Sequence, residues 1–94
     1  MTYEVIDLGI ERWAAYRNLA LITEYKNEAV RSVIVVGAAG GKTQIWIDPP
    51  SSNGGIGVHV WNYGKKRRDF VATVADLRNV LDDALTIARG WLNE

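Results

Sequence analysis

Cysteine is absent from the chain, which excludes a disulfide framework, thiol catalysis and a Cys-ligated zinc site together. A cysteine-free sequence also fits a reducing compartment. Histidine is nearly absent. His59 stands alone, so no histidine-based metal cluster can form, and no Ser-His-Asp arrangement is evident around it. Net charge is missing too. Eleven basic residues balance eleven acidic ones, so no global field steers the molecule towards nucleic acid or a membrane surface, and recognition by charge has to be local. No stretch approaches the ~20 apolar residues of a membrane span. The opening residues carry Glu4 and Asp7 and no basic leader, so the expectation is a cytoplasmic protein without a signal peptide.

What is present describes an ordinary globule. With 94 residues, 48% hydrophobic and 23% charged, the chain can build one core, and residues 1–94 read as a single domain. The run Val33-Ile34-Val35-Val36-Gly37-Ala38-Ala39-Gly40-Gly41-Lys42-Thr43 imitates a phosphate-binding loop. That loop needs four residues between its first glycine and the Gly-Lys-Thr, then a helix to aim N–H groups at phosphate. Here three residues intervene, and Thr43-Gln44-Ile45-Trp46-Ile47-Asp48 alternates at period two before Pro49-Pro50. The pattern predicts a β-hairpin.

Along the chain, residues 2–8 read as a short edge strand. A helix beginning at Asp7 or Gly9 follows, with Trp13, Tyr16 and Ala20 on one face. Residues 19–25 are read as its continuation, a strand being the alternative. Residues 29–36 make the central strand, and the β-branched run 33–36 suits burial on both faces. Strands over 42–48, 56–63 and 68–72 follow, the last two joined by a hairpin tip at 64–67. Thr73 stands three residues before Asp76 in a capping-box pattern. Leu77, Val80, Leu81, Ala84, Leu85, Ala88 and Trp91 then recur at helical spacing, with Asp76, Arg78, Asp82, Asp83 and Arg89 on a solvated side. The expected fold class is therefore α+β. It is a two-layer antiparallel meander of about four strands, with an N-terminal helix and a C-terminal amphipathic helix on the aliphatic face.

No catalytic constellation emerges, and no cofactor or metal site is expected. Asp82 and Asp83 point about 100° apart on a helix, the wrong spacing for a shared-proton pair. Asp48 has no evident partner to assist it as a base. Strand alternation carries the stronger signal. Ile45, Ile47, Ile56, Val58 and Val60 form aliphatic rows, while Gln44, Trp46, Asp48, Gly57, His59, Trp61 and Tyr63 point the other way. Gly57 leaves a shallow gap in that second row. Three readings fit this aromatic face: core beneath the N-terminal helix, an exposed protein interface, or a platform that stacks nucleic-acid bases. Beside it lies the one basic cluster, Lys65, Lys66, Arg67 and Arg68.

The function expected is a small non-catalytic protein-binding module of inhibitor, immunity or adaptor type. Its anchors are Trp46, His59, Trp61 and Tyr63, and its rim is Lys65, Lys66, Arg67 and Arg68. Its partner is another protein or a second copy in a homodimer. Sequence-tolerant binding of single-stranded nucleic acid is the alternative.

Overall fold

The computed structural model describes residues 2–93; Met1 and Glu94, the ends of the expected domain, lie outside them. The elements run α1 (Asp7–Tyr16), β1 (Leu21–Tyr25), β2 (Glu28–Val36), β3 (Lys42–Ile47), β4 (Ile56–Trp61), β5 (Arg67–Ala72) and α2 (Leu77–Leu92). The fold is α+β, and its antiparallel sheet keeps chain order, β1-β2-β3-β4-β5. The sheet has five strands where about four were expected.

The extra strand is β1, built from residues expected to prolong the helix. Asn18 ends α1 instead. It adopts a left-handed backbone at φ 61°. Its N–H donates to Ala15 O, and the Leu19 N–H reaches back to Ala14 O at 2.8 Å. This is the Schellman arrangement, which satisfies the last carbonyls and turns the chain out of the helix. Lys26 and Asn27 are both left-handed as well. They form the two-residue turn whose twist matches a hairpin, and Tyr25 pairs with Glu28 across it.

Residues 2–8 are not a strand. The N–H groups of Ile6 and Asp7 both donate to Tyr3 O, at 2.9 and 2.8 Å, and the chain turns directly into α1. Spacing explains the choice, because Ile6, Ile10, Trp13 and Ala14 fall on one helical stripe and all four are buried. Tyr16 departs from that stripe and is 68% exposed, with the guanidinium groups of Arg17 and Arg78 5.0 and 5.3 Å from its ring.

Period-two alternation puts Val33, Val35, Ile45, Ile47, Ile56, Val58 and Val60 on the inner face, where they join the α1 stripe and Leu77, Leu81, Ala84, Leu85 and Ala88 of α2 in one core. Burial on that scale is worth ~1.5–3 kcal/mol for each large aliphatic side chain. The run 33–36 is buried on one face only, since Val36 is exposed. Both helices lie on the inner side, and α1 does not cover the aromatic face. Ahead of α2, Thr73 and Asp76 make the reciprocal pair their spacing predicts. The Thr73 N–H donates to Asp76 Oδ1 at 2.6 Å, and the Asp76 N–H donates to Thr73 Oγ1 at 3.3 Å. Asp82 is not simply solvated. It accepts the Trp13 indole N–H at 2.9 Å and Arg17 Nε at 3.0 Å, tying α2 to α1.

The Gly-rich segment between β2 and β3 is a hairpin connection. Its glycines make room for the end of α2, because a Cβ at Gly37 would stand 3.2 Å from Leu92 Cβ. Among the described residues no helix is long and apolar enough to cross a membrane.

Candidate functional site: the open face of the sheet

Register determines who meets whom on the outer face. Trp46 lies between Ser32 and His59, Gln44 lies between Ile34 and Trp61, and beyond them His59 pairs with Asp69 and Trp61 with Arg67. Trp46 and His59 are stacked, with ring centroids 4.8 Å apart. The Arg67 guanidinium is 5.1 Å from the Trp46 centroid, within cation–π range. Tyr63 follows β4 in a left-handed conformation, φ 65°, and this shortens the expected strand 56–63 to Ile56–Trp61. That turn brings the Tyr63 ring to 4.6 Å from Trp61. Asn62 shapes the same tip by accepting the N–H groups of Gly64 and Lys66 at 3.0 and 3.1 Å.

Trp46, Trp61 and Tyr63, but not His59, line a concavity of about 570 Å³. Ile22, Tyr25, Tyr3, Ser32, Ile34, Gln44 and Asp48 line it as well. Gln44 Nε2 donates to Ser32 Oγ at 2.9 Å, which satisfies a serine that is only 3% exposed. Arg31 braces the far rim. Its guanidinium is 4.4 Å from the Tyr3 ring centroid and grips Asp7 with two bonds, at 2.6 and 3.1 Å. Those bonds hold the Asp7 carboxyl below its usual range and raise the Arg31 pKa further. Burial pushes the Tyr63 hydroxyl up, although the residue is 46% exposed.

His59 sits beneath this surface with both ring nitrogens occupied. Nε2 lies 2.7 Å from Asp48 Oδ2 and Nδ1 lies 2.6 Å from Asp69 Oδ1. Asp69 Oδ1 also accepts Arg67 Nε at 3.1 Å. Burial works against the imidazolium, but hydrogen bonds to Asp48 and then Asp69 outweigh it and raise the His59 pKa. The same bond from His59, helped by Arg67, keeps the Asp69 carboxyl below its usual range. The gap expected at Gly57 is filled by the Asp48 carboxylate. The two aspartates approach opposite ring nitrogens, and among the described residues no group of three or more acidic or histidine side chains is arranged to hold a metal.

The sequence-predicted anchors Trp46, His59, Trp61 and Tyr63 therefore share one face. The basic run divides. Arg67 belongs to the aromatic face, and Lys65 is exposed at the hairpin tip. Lys66 Nζ is 6.0 Å from the Trp91 ring of α2, and the Arg68 guanidinium is 5.2 Å from the Phe70 ring, so both turn towards the helix side of the sheet. The sequence reading missed Asp69 as a partner of His59, and the part of the lining supplied by Tyr3, Ile22 and Tyr25. Asp69 becomes visible once His59 and Asp69 are known to be opposite, whereas Ile22 and Tyr25 required β1.

No family model matches the chain, and comparisons with curated proteins and with solved structures give no match either.

Proposed function

We propose that the chain is a small non-catalytic binding module that takes a protein partner, including a second copy of itself, on the outer face of its sheet. One observation carries this reading: both helices pack on the opposite side, leaving Trp46, Trp61 and Tyr63 around an open, mainly apolar concavity, with Arg67 against the Trp46 ring. Trp, Tyr and Arg dominate the residues that anchor protein interfaces. A large apolar patch rimmed by polar groups is a feature of interaction sites. A stoichiometric inhibitor, immunity protein or adaptor would use such a face. The non-catalytic part rests on His59. Each of its nitrogens already faces a carboxylate, so it directs no free lone pair at the concavity. Single-stranded nucleic acid finds less support, because Lys66 and Arg68 turn away while Asp48 and Asp69 share the aromatic face.

The test places a photo-crosslinking p-benzoylphenylalanine at Tyr63, with the same residue at Tyr16 as a control on the helix side. A protein adduct at 63, absent at 16 and abolished by Trp61→Ala, is the expected result. Sedimentation velocity across a concentration range identifies self-association. If no Trp61-dependent adduct forms and the protein stays monomeric, the reading is wrong. Tryptophan quenching by a short single-stranded oligonucleotide that salt removes would replace it with the nucleic-acid reading.

A further inference from the structure

We infer that Asp48, His59 and Asp69 form a proton-dependent latch that holds Trp46 in the outer face, so that the face is assembled while both His59 nitrogens carry protons and loosens when one is lost. The inference concerns regulation of the face described above, and its link to binding rests on that reading.

Hydrogen-bond chemistry gives the first argument. Neutral imidazole has one N–H donor and one lone pair, whereas an ionised carboxylate only accepts. With carboxylate oxygens 2.7 Å from Nε2 and 2.6 Å from Nδ1, a neutral ring turns a lone pair on one of them. Only the imidazolium donates to both. The second argument is steric and independent of charge. A Cβ at residue 57 would stand 2.9 Å from His59 Nε2 and in collision with Asp48 Oδ2, so the contact between them exists only because residue 57 is glycine. The Asp48 N–H also donates to Gly57 O at 2.8 Å, which fixes the aspartate at the end of β3. The cluster is thus built into the backbone and joins β4 to β5 and to the segment after β3.

The groups around His59 come from each neighbouring strand. Asp48 approaches from the end of β3 and Asp69 from β5, with Arg67 of β5 bound to Asp69. Trp46 of β3 and Gly57 of β4 add no charge. The Tyr3 hydroxyl completes the surroundings on the Asp48 side; burial first, then Asp48, push its pKa up. Among the described residues the helices, on the inner face, contribute none. When the ring loses a proton, one carboxylate has to turn away. Loss of Asp69 disturbs Arg67, which lies against Trp46, and loss of Asp48 frees the chain just beyond Trp46. Either movement alters the packing of the indole that His59 supports.

The experiment is an NMR titration of the uniformly ¹⁵N-labelled free protein, following the His59 ring nitrogens and the Trp46 indole N–H. The latch predicts a His59 midpoint above the ordinary value of 6.5, with the Trp46 resonance moving at that same midpoint. Gly57→Ala retains every charged group yet displaces Asp48, and lowers the midpoint. Asp48→Asn removes the carboxylate with no added bulk, also lowers the midpoint, and serves if Gly57→Ala does not fold. A midpoint at or below 6.5, a Trp46 resonance that stays still through the His59 transition, or a midpoint unmoved in these variants would overturn the latch. The titration needs no partner, so it is separable from the binding reading. A coupled titration in a protein that gives no Tyr63 adduct and stays monomeric retires the binding reading alone, and an adduct with an uncoupled titration retires the latch alone.

Discussion

Trp46 and His59 lie face to face on neighbouring strands, their ring centroids 4.8 Å apart and their planes 25° from parallel. The contact joins the two halves of the outer face. On one side is a charged cluster of His59, Asp69 and Arg67; on the other is the concavity lined by Trp61 and Tyr63, and Asp48 belongs to both. The indole covers the imidazole, whose side chain is only 17% exposed, while its outer part remains available to a partner. A proton on His59 and a ligand in the concavity therefore act on one side chain.

Stability should depend on pH in two opposite senses. The folded pKa of His59 is raised, so its contribution is fully present below the unfolded value near 6.5 and is lost as pH rises through the higher folded value. The carboxyls of Asp69 and Asp7 are lowered, so their contributions are present above about 3.8 and are lost as pH falls through the folded values. Urea unfolding across the pH range should show a maximum between those limits. His59→Gln should remove the decline on the alkaline side of 6.5 and shrink the acid decline to the part that Asp7, held by Arg31, and the Arg67 bond to Asp69 still carry.

Trp61→Ala should weaken partner binding more than any single charge removal. A central aromatic anchor typically contributes about 2 kcal/mol or more, close to 30-fold in affinity. Arg67→Ala and Lys65→Ala should mainly slow association, with an effect that shrinks as salt is added. Surface plasmon resonance separates the two rates. Trp61 lies on an open face, so its loss should destabilise the fold by less than the 3–5 kcal/mol of a core aromatic deletion.

Asp82 and Asp83 are neighbours with different duties. Asp82→Ala strands the Trp13 indole N–H, which is buried at 1% exposure, and should cost about 1–3 kcal/mol. Asp83→Ala, on the exposed side, should stay within about 0.5 kcal/mol. Chemical denaturation measures both. Repeating Asp82→Ala on a Trp13→Phe background, where no indole N–H exists, should reduce its cost; an unchanged cost would assign the effect to Arg17.

Alternation made the outer row of Trp46, His59 and Trp61 legible, because the side-chain period of a strand is fixed by its backbone. Helical spacing did the same for Leu77 to Trp91. The residues that were misread depend on backbone states that periodicity does not report. Leu21 and Ile22 are compatible with either helix or strand, and the decision falls to the left-handed Asn18 before them and the Lys26-Asn27 turn after them. Contacts between distant segments were hidden for another reason. Asp48, His59 and Asp69 converge only after two hairpins set the register, and Trp13 meets Asp82 across 69 positions. Gly57 illustrates both sides. Its place in the outer row could be read from the sequence, but the carboxylate that occupies the space beside it could not.

One inner position departs from the aliphatic pattern and offers a direct energetic test. Thr43 is fully buried, at 0% exposure, opposite Val35, and among the described residues its hydroxyl has no hydrogen-bond partner. A buried hydroxyl left unpaired costs about 1–3 kcal/mol. Valine matches threonine in shape and is at least as well suited to a strand, so it removes the polar atom without opening a cavity. Thr43→Val should therefore stabilise the protein by about 1 kcal/mol, seen as a higher urea midpoint with an unchanged slope. A loss of stability would mean instead that the hydroxyl binds a buried water, whose removal leaves other polar groups unsatisfied.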